Sequence, residues 1–187
     1  MKVKDVIASA LRLIGRSELI PDLSEPSSSG EGDSNEVIET LLYCFNAVED
    51  ELAHKYIPLV TREEMISSDK RYFYTAFNHC PVKIKKVKST DGEKLNFEVF
   101  SLYMAVDAKK VVTEYEYAPR PKKLDDTSDY GDEVGEYLIA LGIASEYCVI
   151  NGEAEMADRW EKKYRAQLDG VQQSLPVCAS IPPRRWV

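Results

Sequence analysis

Residues 133–171 read EVGEYLIALGIASEYCVINGEAEMADRWEKKYRAQLDGV, and the arrangement of the rest of the chain follows from them. On each side of Asn151-Gly152 the apolar residues recur at steps of three and four, the spacing of one helix face. Asn and Gly tolerate the left-handed backbone that ends helices, so this pair predicts a tight break between two antiparallel helices, 132–151 and 153–173. The predicted stripes are Val134, Leu138, Leu141, Ser145 and Cys148, then Met156, Trp160, Tyr164, Leu168 and Val171.

Two further helices are predicted in the first third of the chain. The first spans 3–15 and ends at Gly15, and the second spans 35–57 and ends before Pro58. The stripes are Val3, Val6, Ile7, Ala10, Leu11 and Ile14, then Val37, Leu41, Cys44, Phe45, Val48, Leu52 and Tyr56. The outer face of the second helix is assigned Glu49, Asp50, Glu51 and Lys55, and its start the capping pair Asp33 and Glu36. Residues 22–34 are rich in Pro, Ser and Gly and predict a flexible loop whose role the sequence leaves open.

Between residues 59 and 118 the hydrophobic period changes to two, which predicts antiparallel strands with one wet face. Asp91-Gly92 predicts a hairpin turn between a lysine-rich strand starting at Pro81 and a returning strand through Phe97. The last strand places Val111, Thr113, Tyr115 and Tyr117 on its packed face. The predicted fold class is α+β: a bundle of about four helices with an inserted antiparallel β-meander.

Composition excludes some functional classes. The net charge of −8 and the pI near 4.9 argue against a free nucleic-acid-binding surface, which should be basic, although DNA could slide past such a surface. No secretion signal or membrane span is expected, because charged residues interrupt every apolar run. Four widely spaced cysteines, Cys44, Cys80, Cys148 and Cys178, favour buried free thiols in a reducing compartment.

The sequence predicts no enzyme. His54 and His79 lie in no nucleophile motif, and no phosphate-binding loop, dinucleotide fingerprint or zinc motif occurs. Asp125, Asp126, Asp129 and Asp132 lack the spacing of a calcium loop and are interpreted as a solvated loop and helix cap. The expectation is therefore no catalytic residue, no cofactor and no metal.

Residues 1–174 are predicted to form one domain, and residues 175–187 an extended C-terminal arm. Three prolines in SLPVCASIPPRRWV forbid a helix there. The arm carries Ile181, Arg184, Arg185 and Trp186. Of these residue types, Trp and Arg are enriched at binding hot spots. A disordered tail and a strand that docks on a partner both remain open.

Several segments together resemble the head–tail connector (adaptor) proteins of tailed bacteriophages, including the tail-tube adaptors of short-tailed phages. The similarity covers the chain up to about Ser174 and follows the order helix, loop, long helix, β-meander and helical hairpin. The segments are ALRLIGRSE, HKYIPLVTREEM, CPVKIKKVKSTDGEKLNFEV, VVTEYEYAPRPKKLDDTSDY and EYLIALGIASEYCVINGEAEMADRWEKKYRAQL.

The resemblance implies a structural subunit of the virion neck or tail, which is present in the host cytoplasm during assembly. Its partners would be further copies in a dodecameric ring, the portal protein, and a tail or nozzle protein, while DNA passes through the lumen without specific binding. The arm would reach a portal groove, with Ile181 and Trp186 buried and Arg184 and Arg185 paired to portal carboxylates. The alternative is a small cytosolic regulatory or ligand-binding module without catalytic activity.

Overall fold

The computed structural model describes residues 1–23, 32–131 and 133–174. Within these ranges both helices and antiparallel strands are present, so the predicted α+β class is confirmed. The helices are α1 (Val3–Leu13), α2 (Gly32–Glu51), α3 (Glu136–Ile150) and α4 (Ala154–Ser174), and a π-helical turn, Leu52–Tyr56, continues α2. The strands are β1 (Leu59–Ile66), β2 (Arg71–Phe73), β3 (Pro81–Lys88), β4 (Phe97–Val99), β5 (Tyr103–Val106) and β6 (Lys110–Tyr117).

Helix α3 lies at the centre of the helical part, in contact with α1, α2 and α4. The predicted stripe of α3 is buried, but so are residues on its other sides, because three helices cover it. Gly142 allows this closeness: a Cβ there would lie 2.8 Å from Val48 Cγ1 and 3.1 Å from Tyr164 Cε2. The predicted break is confirmed, since Gly152 has a φ of +74° and the Glu153 N–H donates to the Cys148 carbonyl at 2.8 Å.

The helix ends differ from the predicted bounds. Helix α1 ends at Leu13, two residues early, with Gly15 at a φ of +76°. Helix α2 begins at Gly32, upstream of the predicted cap Asp33, whose side chain lies outside the described part. The predicted α-helix 35–57 is wrong in its last turn, which is π-helical: the Ile57 N–H donates to the Leu52 carbonyl five residues back, at 2.7 Å. This wider turn buries both Leu52 and Ile57.

The predicted single meander is wrong. The strands form two three-stranded antiparallel sheets, a larger one ordered β1-β6-β3 and a smaller one ordered β2-β5-β4. The Asp91-Gly92 turn is present, and Leu95 N–H donates to the Val87 carbonyl, but β4 then pairs with β5 instead of following β3. Alternation predicts which residues of a strand are buried and says nothing about the partner strand, so the crossing between sheets was not predictable from it.

Two hydrophobic cores result. The helices enclose the larger one, and the sheets enclose the second. The second core takes Met65, Val87, Val111 and Tyr115 from the larger sheet, Tyr72, Met104 and Val106 from the smaller sheet, and Phe77 from the loop between β2 and β3. Tyr117 packs against both cores and joins them. The inner faces of the two sheets therefore pack on each other, and each sheet has an outer face.

Candidate functional site

The outer face of the smaller sheet carries three neighbouring aromatic side chains, Phe73, Tyr103 and Phe100, called here the aromatic row. Phe73 lies opposite Tyr103 in the register, with ring centroids 5.5 Å apart. Phe100 lies on the other side of Tyr103, with stacked rings 4.8 Å apart and a 2.9 Å hydrogen bond from its N–H to the Tyr103 carbonyl. Phe73 is 44% exposed and Phe100 43%, so the row is open to solvent.

Beside the aromatic row lies a charged row, Arg71, Ala105 and Glu98. Both Arg71 and Glu98 are opposite Ala105 in the register, so the alanine separates the two charges. Neither Arg71 nor Glu98 has a salt bridge to another residue in the described ranges; the Arg71 guanidinium instead lies 5.5 Å from the Tyr103 ring centroid. A shallow depression over Ala105 is bordered by both charged residues.

Sequence reasoning missed this face. It singled out the tyrosines of β6, and the prediction that they pack is confirmed for Tyr115, which is fully buried and meets Phe77 edge-on at 4.9 Å. The available signal lay in the short segments RYF (71–73) and FSLYMA (100–105). Aromatic residues occur in them at both odd and even positions, and alternate positions of a strand lie on opposite faces of the sheet. Such segments are hydrophobic on both faces and do not reveal which aromatic residues are outside.

The outer face of the larger sheet is built differently, from paired charges. Glu114 on the central strand accepts a 2.8 Å hydrogen bond from Arg62 Nε on one side and lies 3.5 Å from Lys86 Nζ on the other. The hydrogen bond from Arg62 lowers the pKa of Glu114. Lys85 pairs with Glu116 at 3.2 Å. The lysine-rich strand β3 lies at an edge of the sheet, where lysines discourage pairing with other strands, and two of its lysines, Lys85 and Lys86, pair with Glu116 and Glu114 of the neighbouring strand.

A buried polar junction links α2 to the segment that leads into α3. The prediction that Glu49 lies on the outer face of α2 is wrong: the residue is fully buried. Its Oε1 accepts hydrogen bonds from Ser128 Oγ at 2.6 Å and from the Asp129 N–H at 3.0 Å. Its Oε2 is buried without a hydrogen-bond partner among the described residues. Burial raises the pKa of the Glu49 carboxyl above its ordinary value of 4.5.

Asp129, interpreted from sequence as part of a solvated loop, belongs to the same junction. Its Oδ1 pairs with Lys122 Nζ at 2.7 Å, and both side chains are largely buried. Asn46 on α2 accepts from the Lys122 N–H at 2.6 Å and donates to the Lys122 carbonyl at 3.2 Å. The solvated interpretation is wrong here because Lys122 of the same loop pairs with the Asp129 carboxylate, and Glu49 of α2 accepts from the Asp129 N–H, whereas Asp125 remains exposed. These contacts fix the loop against α2 and serve a structural role.

The residues predicted to bind a portal, Ile181, Arg184, Arg185 and Trp186, lie outside the described residues, as do Asp132 and Cys178. Helix α4, from which the arm continues, ends beside the π-helical turn. Gln172 Nε2 donates to the Tyr56 carbonyl at 3.2 Å, and Val171 is buried in the helical core.

Other reactive groups are dispersed. No group of three or more His, Cys, Asp or Glu side chains suited to a metal ion occurs in residues 1–23, 32–131 and 133–174. Cys44 and Cys148 are buried free thiols, and burial raises their pKa values to about 12 and about 11. Cys80 is an exposed free thiol, so the prediction that the cysteines are buried is confirmed for Cys44 and Cys148 and wrong for Cys80. No helix in the described part is long and apolar enough to cross a membrane.

No protein-family model matches the chain, and no curated protein is significantly similar to it in sequence.

Proposed function

We propose that the chain is a structural head–tail connector (adaptor) subunit of a tailed bacteriophage. Copies form a ring, dodecameric by the resemblance, that joins the portal to a tail or nozzle protein in the virion neck and lets DNA pass. The ring body is the bundle of α1, α2, α3 and α4, and the two sheets face a protein neighbour. The resemblance in segment order motivates the proposal, and the distribution of charge supports it.

The unequal division of charge between the two parts of the chain is the observation that carries the proposal. Residues 59–118 contain ten Lys and Arg against nine Asp and Glu, so the part with the sheets is nearly neutral. The remaining residues contain fourteen Lys and Arg against twenty-three Asp and Glu. The net charge is therefore +1 for residues 59–118 and −9 for the remaining residues, so all of the net negative charge belongs to the segments that include the helices.

Carboxylates lie close together on the helical surface. Partial desolvation and the neighbouring Glu51 and Glu161 raise the pKa of Glu146, so three helices contribute acids to one region, in which Lys55 pairs with Glu51 and Arg165 with Glu161. A negative surface repels DNA phosphates and forms none of the lysine and arginine contacts that hold a duplex. A ring lined by such helices would let the duplex move through the lumen without binding it.

The C-terminal arm is the proposed contact to the portal. Trp186 and Ile181 would enter an apolar groove, and Arg184 and Arg185 would pair with carboxylates of the portal protein. An extended arm adds main-chain hydrogen bonds when it lies along a strand of its partner, and its side chains then provide the specificity.

Co-purification with the cognate portal protein tests the proposal. The tagged full chain should retain the portal ring, and the chain lacking residues 176–187 should lose it while its circular dichroism spectrum stays unchanged. The matched control replaces Lys162 and Arg165, two exposed cations of α4, by alanine and should still retain portal. A full chain that never binds portal would overturn the connector function and favour the regulatory module; equal binding by the truncated chain would overturn only the role of the arm.

A further inference from the structure

We propose that the outer face of the smaller sheet is a homodimer interface, on which a second copy of the chain packs face to face about a two-fold axis parallel to β5. This inference goes beyond the connector function and does not depend on it. It rests on the order of side chains across β2, β5 and β4.

The face exposes more apolar surface than a solvated sheet needs. The aromatic row is flanked by Leu102, which is 71% exposed in the turn between β4 and β5. Tyr72, Met104 and Val106 of this sheet are buried in the second core, whereas Val99, which lies opposite Met104 in β4, is 61% exposed. Contiguous exposed aromatic residues beside an arginine have the composition of protein interfaces, where Tyr, Phe and Arg are enriched.

The charged row is complementary to itself. Because β5 is central, a two-fold axis along it exchanges the flanking strands and places β2 of one copy over β4 of the other. Arg71 then faces Glu98 of the second copy, and Glu98 faces Arg71 of the second copy. The same operation places Phe73 over Phe100 of the second copy, so apolar meets apolar and each cation meets an anion.

Two features of a single copy agree with this arrangement. Arg71 and Glu98 are separated by two strand spacings, roughly 10 Å, so they are placed to pair between copies more easily than within one. Ala105 has the smallest side chain in either row and lies on the proposed axis, so it faces Ala105 of the second copy. Its size lets two twisted sheets approach to the usual packing distance of about 10 Å.

The surrounding charges permit the contact. Asp107 lies two residues after Ala105 and would approach Asp107 of the second copy near the axis. Lys70 forms an ion pair with Asp107, which reduces the repulsion between the two carboxylates. Repulsion between copies arises mainly from the acidic helical segments, while residues 59–118 are close to neutral. The outer face of the larger sheet is a poorer candidate, since Glu114, Glu116 and Glu64 are already paired within the chain.

Charge reversal tests the geometry, with mass measured by sedimentation equilibrium of the full chain. The wild type should have twice the chain mass of 21.2 kDa. Arg71→Glu or Glu98→Arg alone places like charges together at two symmetric positions and should weaken the dimer by roughly tenfold or more. The double variant Arg71→Glu, Glu98→Arg restores both pairs and should regain most of the affinity. Lys88→Glu, an exposed charge reversal on β3, is the matched control and should leave the dimer unchanged.

Cross-linking on the axis provides a second, independent readout. Ala105→Cys should be cross-linked to the same residue of the second copy by a bismaleimide with a short spacer, because two sheets about 10 Å apart are too distant for a direct disulfide. The test uses a chain that also carries Cys80→Ser and Cys178→Ser. Val60→Cys, on the outer face of the larger sheet and 46% exposed, should remain uncross-linked. A chain that stays monomeric at about 100 µM, a concentration that detects even weak interfaces, or a double variant no better than the singles, would overturn the dimer. A monomer that still retains portal would contradict this inference alone, and a dimer that ignores portal would contradict only the connector function.

Discussion

The helical part and the smaller sheet differ in how much of their apolar surface is buried. In the helical part α3 is covered by three other helices, and the acidic residue that enters the interior, Glu49, is held by donors from a distant loop. In the smaller sheet one face is buried and the other exposes the aromatic row. We expect the helical part, which encloses the larger core, to contribute more to stability, and the smaller sheet to provide the surface proposed for association. Substitutions should therefore separate the two properties.

Within the helical part, the largest expected effect on stability comes from Glu49→Ala. It removes the acceptor of the Ser128 hydroxyl and the Asp129 N–H, leaves both buried donors unsatisfied and opens a cavity. We expect a loss of about 3 kcal/mol in the free energy of unfolding, measured by urea denaturation. Glu155→Ala, an exposed residue of α4, is the control and should change it by less than about 0.5 kcal/mol. Equal effects would mean that the junction is not a stabilising contact.

A pair of helical glycines gives the next effect, with opposite signs. Gly142→Ala forces a methyl group to within 2.8 Å of Val48 Cγ1 and should cost about 1–2 kcal/mol despite the better helix propensity of alanine. Gly170→Ala meets no atom within 4 Å and should stabilise the chain by about 0.5–1 kcal/mol. Thermal unfolding of both variants measures the difference, and a destabilised Gly170→Ala would contradict the packing described for these helices.

A smaller effect is expected in the pH dependence of stability. Because burial raises the pKa of Glu49 in the folded chain, the folded state keeps this proton at pH values where the unfolded state has lost it. The contribution of Glu49 to stability is therefore present below its ordinary pKa of 4.5 and is lost as pH rises from there through the raised value. Glu49→Gln cannot ionise, so its stability relative to the wild type should increase from pH 4 to pH 7. Parallel curves for the two proteins would contradict the raised pKa.

Substitution of the exposed rings Phe73 and Phe100 should have the smallest effect on the free energy of unfolding and the largest effect on dimerisation. Replacing Phe73 and Phe100 together by serine should change the free energy of unfolding of the monomer by less than about 1 kcal/mol, because both rings are already half exposed. The same variant should be monomeric in sedimentation experiments at concentrations where the wild type is dimeric. Phe77→Ser, in the buried core between the sheets, is the contrasting control and should destabilise the chain by about 3 kcal/mol or more.

Local signals predicted the helical hairpin well. The stripe of α4 and the Asn151-Gly152 break depend on residues close together in sequence, and the structure contains both. Glu49 was misassigned because it lies next to Val48 at the border of the apolar stripe, and the donors that bury it come about eighty residues later, from Ser128 and Asp129. Helical periodicity cannot reveal a partner at that separation.

The sheet connections and the candidate site were missed for a related reason. The Asp91-Gly92 signal correctly predicted a turn, but β4 pairs with β5, and Phe97 packs against the core between the sheets, which local alternation cannot reveal. The aromatic row takes Phe73 from β2, Tyr103 from β5 and Phe100 from the turn between β4 and β5. No segment of the sequence contains the row, so only the register of the smaller sheet reveals it.

The most direct test of the proposed association surface and of the connector function is the particle mass measured by light scattering, with and without the cognate portal protein. Alone, the chain should have twice the mass of 21.2 kDa. With portal added, many copies should elute together with the portal ring. A particle of 21.2 kDa whose elution is unchanged by portal would contradict both the association surface and the connector function.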